Sequence, residues 1–575
     1  MAPVRDPLYE YVDAFMAELA AQGVRRVVVS PGSRSTPLAL TAWARPDLAT
    51  HVVLDERSAA FVALGSAKAS GRPTALVCTS GTAAANYLPA VVEAHHSAVP
   101  LLVLTADRPP ELRGWGAGQT IDQVHLYGRN VRWFAETPVP TEGDPAHARR
   151  LAARAVAAAT GSDPGPVHVN WPIRKPLEPV GNLSPQPAVP PVGLDGGAVD
   201  VTSAAERLAD LVDRHERGVI VTGPLPTEGS TATALLALAS VSGWPVLADV
   251  ASQLRRGGAG DAAVVSTAHH LLKATAFTER HRPDVIARVG GTPVSATVSA
   301  WIETSPGELV LVDGAGRWEE PTFTFGEVLA APPGPLAART AELLGAHRHD
   351  SDWRRSWVDA DATARAALEN ALGVGKFLAP QLVRALGDSL PDGATLYLSN
   401  SLPVRDAEMF LAATSTTVHV QVHRGANGID GLTSAAAGAA LDAPGPVVLL
   451  TGDLAVLHDI GGLVTAGQLG TPLTIVVPDN AGGGIFDHLP IAGRGEAVGY
   501  TELFRTPHRV DMAGLAALPG VVHTRVDDRG DFVLAVERAL ASRAIDLIEV
   551  PIDADADLAE HERLGAAVVA AVSAG

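Results

Sequence analysis

The chain has 575 residues and carries 63 acidic against 44 basic side chains, a formal charge of −19 at pH 7. That balance argues against recruitment by nucleic acid or by an anionic membrane surface. Apolar residues make up 47% of the chain, enough for sizeable cores, and the length suits about three domains of about 100–200 residues each.

Lys68, Lys175, Lys273 and Lys376 are the lysines, and the other 40 basic residues are arginines, as a GC-rich genome favours. No uninterrupted apolar run reaches about 18 residues, so no membrane span is expected. The opening MAPVRDPLYEYVDAF is acidic and amphipathic and lacks the apolar stretch of a signal peptide, which points to a cytoplasmic protein. The single cysteine, Cys78, excludes an internal disulfide and a multi-cysteine metal site. It sits in the apolar run TALVC and reads as inert core.

A first helix is predicted from Asp6, a capping residue, through Pro7 to Gly23, with Leu8, Val12, Phe15, Met16 and Leu19 on one face. Short apolar runs follow, each leading into a turn and a helical pattern: Arg26–Ser30, His51–Leu54, Thr74–Cys78, Pro100–Thr105 and Pro166–Asn170. Continuous Val/Leu runs alternating with helices predict a parallel sheet covered on both faces. Residues 178–200 are dense in Pro and Gly and read as a linker. A second α/β block has strands near Gly218–Thr222, Pro245–Asp249, Asp284–Val289 and Glu308–Asp313. A second linker is expected from Ala331–Pro335. The third block has strands near Thr395–Leu398, Val418–Val422, Val447–Thr451, Leu473–Val477 and Leu547–Val550. The expected fold is α/β, with three domains at 1–180, 198–345 and 365–575. The rhythm of the first and third blocks is alike, as duplicated folds would be.

The segment Leu449–Phe486 carries the most chemistry. A strand runs into Gly452-Asp453, and a second strand leads to Asp479-Asn480, with Asn480 27 residues after Asp453 and Gly482, Gly483 and Gly484 following. In a parallel sheet both strand ends lie at the edge where ligands bind. Asp453 and the Asn480 amide oxygen are hard ligands suited to Mg²⁺ or Ca²⁺. The glycines let backbone N–H groups approach phosphate oxygens. The pattern reads as a metal-bridged diphosphate site.

This pattern resembles the diphosphate motif of the thiamine diphosphate (ThDP) enzymes. The resemblance implies that Asp453, Asn480 and the Gly482 carbonyl hold Mg²⁺, with Mn²⁺ as the alternative, and that Gly452 and Gly483 line the diphosphate. The family often has a second Asn where this chain has Ala481. It also needs a carboxylate against the aminopyrimidine ring. Glu56, opening a helix after the strand in HVVLDERSAAF, takes that place, with Asp55 as its competitor.

Further motifs resemble the menaquinone-biosynthetic branch of the family: SPGSRSTPL (Ser30–Leu38), LTADRPPEL (Leu104–Leu112), GAGQTIDQ (Gly116–Gln123), SNSLPVRD (Ser399–Asp406) and HRGANGIDGLTSAAAG (His423–Gly438). They implicate decarboxylation of 2-oxoglutarate and conjugate addition of the resulting succinyl-semialdehyde carbanion equivalent to isochorismate. By the same resemblance Glu56, Gln119 and Ser33 are catalytic. Arg34, Arg108, Arg405 and Arg424 would bind the substrate carboxylates, for which the planar, permanently charged guanidinium is suited. Ile429 would wedge between the cofactor rings, and Ile485, Phe486 and Leu489 would form a dry wall. The cofactor's own nitrogen moves protons, so His95 and His96 are expected to be structural, His423 a minor candidate, and His458 of either kind.

The middle block carries no charge at Gly291 or Ala296, where relatives often have basic residues, though Arg255, Arg256 and Arg317 are near in sequence. The resemblance also implies a homodimer or homotetramer with active sites between subunits. Two alternatives differ in class. One is another ThDP-dependent 2-oxo acid decarboxylase or carboligase. The other is a non-catalytic ThDP-fold binding module, whose mark would be loss of Glu56, Asp453 or Asn480; all three are present.

Overall fold

Valine- and leucine-rich runs of four to seven residues form the centres of three separate sheets, each flanked by helices. The computed structural model describes residues 6–574, apart from 182, 184, 186, 188, 194–198, 228 and 346–350. The expected linker at 178–200 therefore lies partly outside the described residues.

The first sheet comprises β1 (Arg26–Val29), β2 (Ala49–Val52), β3 (Thr74–Cys78), β4 (Leu101–Asp107), β5 (Trp133–Glu136) and β6 (Val167–Pro172), ordered β2-β1-β3-β4-β6-β5. The second comprises β7 (Gly218–Thr222), β8 (Val246–Ala248), β9 (Val264–Val265), β10 (Val285–Val289), β11 (Glu308–Val312) and β12 (Glu327–Leu329), ordered β12-β11-β10-β7-β8-β9. The third comprises β13 (Ala394–Leu398), β14 (Val418–Val422), β15 (Val447–Leu450), β16 (Leu473–Asp479), β17 (Val521–Arg525) and β18 (Ile545–Pro551), ordered β14-β13-β15-β16-β18-β17. Every strand pair is parallel. Counted from its own first strand, the third sheet has the same order as the first, as the like rhythm suggested. The second has the order of a dinucleotide-binding fold. At its switch point, however, a side chain on Gly223 would overlap the backbone of Gly291, so the two turns are packed directly together.

The α/β expectation holds. Two readings of detail do not. The strands β5, β9, β12 and β17 were not anticipated; all four are short sheet edges without a long apolar run. The stretch Ala331–Pro335 does not begin a linker. Pro333 opens the helix Pro333–Leu344, which packs on the helix Gly229–Ser242 of the second sheet, because proline is tolerated in a first helical turn.

First and third domains meet along two helices, Glu56–Ser70 and Leu432–Ala439. Small residues permit the close crossing: side chains on Gly65 and Gly438 would overlap the carbonyls of Ala435 and Val62. The middle domain is pinned to the third by Arg255, which bonds the Glu408 carboxylate at 2.6 Å and the Glu408 carbonyl at 2.7 Å. Among the described residues no helix is long and apolar enough to cross a membrane.

Candidate active site

Strands β15 and β16 are hydrogen-bonded neighbours, so their carboxyl ends emerge side by side. Asp453 opens the helix Asp453–His458 after β15, and its carboxylate is buried. It accepts the N–H groups of Leu454 and Gly482, each at 2.7 Å, and lies 3.0 Å from His508 Nε2. Burial, reinforced by the neighbouring Asp479, pushes its pKa up to about 6. Asn480 Oδ1 is buried with no hydrogen-bond partner. Gly482 and Gly483 leave no room for a Cβ: it would stand 2.4–2.5 Å from the carbonyls of Arg505 and Phe504, and on Gly484 it would strike the Asn480 amide. A buried carboxylate, an orphaned amide oxygen and a glycine cradle fit a hard divalent ion holding a diphosphate. The Gly482 carbonyl accepts the Gly484 N–H at 3.0 Å, and the Gly482 N–H donates to Asp453 at 2.7 Å.

His508 and the segment that brings it to Asp453 and Asp479 were not read from the sequence. His508 lies 3.8 Å from Asp479, and its backbone N–H bonds the Ala481 carbonyl at 3.3 Å. Between them the chain folds back through short turns tied by Asp487, which accepts Arg505 at 2.7 Å and the Tyr500 hydroxyl at 2.6 Å. Ile485 and Phe486 are half-buried in this segment, with Phe486 edge-on to Phe504 at 5.5 Å, while Leu489 is 44% exposed. No local pattern marks His508, which follows Asn480 by 28 residues of irregular chain.

In the first domain, Asp55 caps the helix Glu56–Ser70 by accepting the Ser58 N–H at 3.1 Å. Its carboxylate is thereby committed, which favours half-buried Glu56 over Asp55 as the acid that faces a ligand. The turns after β1 and β4 bring Arg34 and Arg108 together. Arg34 is buried, bonds the Ile173 carbonyl at 2.7 Å, and has its pKa lowered by burial and by the charge of Arg108. Arg108 bonds the Gly118 carbonyl at 2.9 Å, but its buried Nε has no partner. Gln119 is held to Ser80 by two 3.0 Å bonds, and Ser33 is exposed on the same turn as Arg34.

A second arginine pair lies on the third domain. Arg405 bonds the Ser401 carbonyl at 2.5 Å, and its pKa is lowered by burial and by Arg424. Arg424 is exposed and bonds Asn400 Oδ1 at 3.3 Å. Ile429 is half-buried against the core shared by the first and third domains. Gln119, Ser401 and Ala481 each hold positive φ, at 56°, 73° and 56°.

Most of the other candidates are committed to contacts within the fold. Arg255 and Arg256 are buried, the latter bonded to the Gly387 and Ala412 carbonyls, and Arg317 pairs with Asp163. His95 bonds Arg132, and His423 is fully buried against the Tyr397 hydroxyl at 2.6 Å, its pKa lowered to about 4 by burial and Lys68. His458 is exposed and contributes its carbonyl to Arg57. Burial raises the Cys78 thiol far above its ordinary value.

Residues 10–126 match the family description "Thiamine pyrophosphate enzyme, N-terminal TPP binding domain", residues 200–398 the "Middle domain of thiamine pyrophosphate", and residues 412–550 the "Thiamine pyrophosphate enzyme, C-terminal TPP binding domain". The fold and site are those of a ThDP-dependent enzyme that forms C–C bonds. Three relatives are each described as 2-succinyl-5-enolpyruvyl-6-hydroxy-3-cyclohexene-1-carboxylate (SEPHCHC) synthase. That of Halorubrum lacusprofundi is 41% identical over 99% of both chains, that of Geobacillus kaustophilus 42% over 95% of both. That of Myxococcus xanthus is 39% identical over 98% of this chain and 97% of its own. The chain belongs to the SEPHCHC synthase family.

Proposed function

We propose that this chain works as a SEPHCHC synthase, with 2-oxoglutarate and isochorismate as substrates and Mg²⁺ or Mn²⁺ at Asp453, Asn480 and Gly482. The observation that carries the substrate reading is the pairing of like charges, Arg34 with Arg108 and Arg405 with Arg424. Burial first and the neighbouring guanidinium second lower the pKa of Arg34 and of Arg405, only partly offset by Asp107 and Asp406. Two guanidinium groups side by side suit an anionic ligand, and both substrates are dicarboxylates.

Bound ThDP supplies the electron sink that lets a 2-oxo acid lose CO₂. The chain's own residues do the rest. Asp453 and Asn480 hold the metal, and the backbone at Gly452, Gly482 and Gly483 admits the diphosphate. The Glu56 carboxylate would hold the pyrimidine end of the cofactor, and Ile429 would pack against its rings. Arg34, Arg108, Arg405 and Arg424 orient the substrate carboxylates, each contact contributing roughly 1.5–3 kcal/mol. Ser33 and Gln119 place hydrogen-bonding groups beside the reacting carbon. Half-buried Ile485 and Phe486 line it against water, and exposed Leu489 would join them once the site is filled. The working unit is a cytoplasmic homodimer or homotetramer with each site shared between subunits.

Purified protein with ThDP and Mg²⁺ is expected to consume 2-oxoglutarate faster when isochorismate is present and to leave pyruvate untouched. Turnover of pyruvate with 2-oxoglutarate ignored would replace this reading with another ThDP carboligase.

A further inference from the structure

The loop Arg424–Ile429 lies at the third-domain surface, with Arg424, Gly425 and Ala426 exposed. It is nonetheless gripped from two sides by groups of opposite polarity. Glu93, on the first-domain helix Leu88–His96, is fully buried. Its carboxylate accepts three consecutive backbone N–H groups, those of Gly425 at 3.1 Å, Ala426 at 2.7 Å and Asn427 at 2.8 Å. From the other side the Asn400 amide donates to the carbonyls of His423 at 2.7 Å, Asn427 at 2.8 Å and Gly428 at 3.0 Å. Lys68, on the helix that Glu56 opens, bonds the Val422 carbonyl just before the loop. Burial opposes the charge on Glu93, but His423, Lys68 and the Ala426 N–H together hold its pKa below the usual carboxylate value. A side chain on Gly425 would press within 2.7 Å of the Ser97 hydroxyl, so the loop runs hard against the first domain.

Burying a carboxylate costs several kcal/mol in desolvation, which an apolar side chain of similar volume would avoid. Surface loops are ordinarily the mobile part of a fold and need no such anchor for the core to form. The arrangement makes sense where the loop's conformation must be set in advance, because a preset binding group loses less entropy when it meets its ligand.

We propose that Glu93 is a positioning residue for the reaction: through its three backbone N–H bonds it holds the Arg424–Ile429 loop so that Arg424 meets a substrate carboxylate in a preformed geometry. The inference deepens the proposed function and rests on its assignment of Arg424 to substrate binding. Glu93→Gln is nearly isosteric, but its NH₂ group cannot accept, so at least one loop N–H loses its partner.

The test uses the full-length enzyme loaded with ThDP and Mg²⁺. Hydrogen–deuterium exchange should find the amides of Gly425, Ala426 and Asn427 protected in the wild type and faster by about tenfold or more in Glu93→Gln, as expected for a lost bond to a charged group. The KM for one dicarboxylate substrate should rise by a similar factor, with kcat changed less. Combining Glu93→Gln with Arg424→Ala should raise that KM no further than Arg424→Ala alone, since Glu93 acts through the arginine. Exchange of the three wild-type amides at the rate of an unprotected loop overturns the proposal, even if Glu93→Gln does not fold. Full additivity of the two substitutions also overturns it. An unchanged KM for both substrates in Arg424→Ala removes the role of Arg424 itself, by a measurement separate from the exchange that tests the clamp.

Discussion

Asp55 and Glu56 are adjacent carboxylates with different work. Asp55 is drawn into capping its own helix, while Glu56 occupies the first turn, where a negative charge is favourable and its side chain stays half-buried. Two neighbouring acids cannot be told apart by composition, but the cap geometry separates them. Glu56→Gln is expected to lower kcat by about 10²–10⁴-fold, the usual scale for losing a proton-handling group, with little change in ThDP affinity because the diphosphate end is untouched. Steady-state assay together with calorimetric titration of ThDP decides this, and retained turnover would remove Glu56 from the mechanism. Ala481 shows the same dependence on context. It sits at φ 56°, a conformation Asn adopts more readily than Ala, which gives the family's usual Asn a backbone reason as well as a chemical one.

Helix crossings and sheet edges behave differently. The helices Glu56–Ser70 and Leu432–Ala439 touch through Gly65 and Gly438, where an added methyl would meet backbone rather than a yielding side chain. Gly65→Ala should therefore destabilise by about 1–3 kcal/mol through overpacking. Gly565, within the helix Ala554–Ala574, faces open space. Gly565→Ala should raise stability by about 0.5–1 kcal/mol, since only helix propensity changes. Denaturant midpoints measure both, and equal effects would contradict the crossing. The central strands were legible because both faces are buried and the apolar run is continuous. The edges Trp133–Glu136, Val264–Val265, Glu327–Leu329 and Val521–Arg525 were not, because an edge with one solvated side mixes polar and apolar residues without a run.

The whole molecule is tied together by buried charge. His561, on the last helix, lies 2.9 Å from Asp406, beside Arg405, with Asp557 also against its ring. Burial opposes its protonation, but the hydrogen bond and charge of Asp406 and the charge of Asp557 prevail and push its pKa up to about 9. A raised histidine pKa stabilises the fold fully below the unfolded value near 6.5, and that contribution disappears as pH rises through about 9. It is on the order of 3 kcal/mol over this window for a pKa of about 9 against 6.5. Tm should fall between pH 6.5 and 9.5, and His561→Gln should flatten that slope. Trp43, Leu54 and Leu503 are each strongly exposed. If each site is shared between subunits, mixing inactive Glu56→Gln with inactive Asp453→Ala after gentle dissociation should restore turnover. No recovery despite subunit exchange would place both halves of the site in one chain.

What the sequence determined alone is what acts over short range. Periodicity set the α/β class, and strand-turn-glycine patterns marked Asp453 and Asn480, because strand ends and backbone approach to phosphate are properties of about ten consecutive residues around each; Arg34 came from the resemblance of its motif. The tertiary structure decided what depends on partners far along the chain. It committed Arg255 to Glu408 and Arg317 to Asp163, although both arginines had looked available to substrate. It brought His508 to Asp453 and set Glu93 under the Arg424 loop, across 55 and more than 300 residues respectively. A charge reports its sign from the sequence, but whether it is neutralised, buried or left for a ligand depends on which groups the packed core brings within a few ångströms of it.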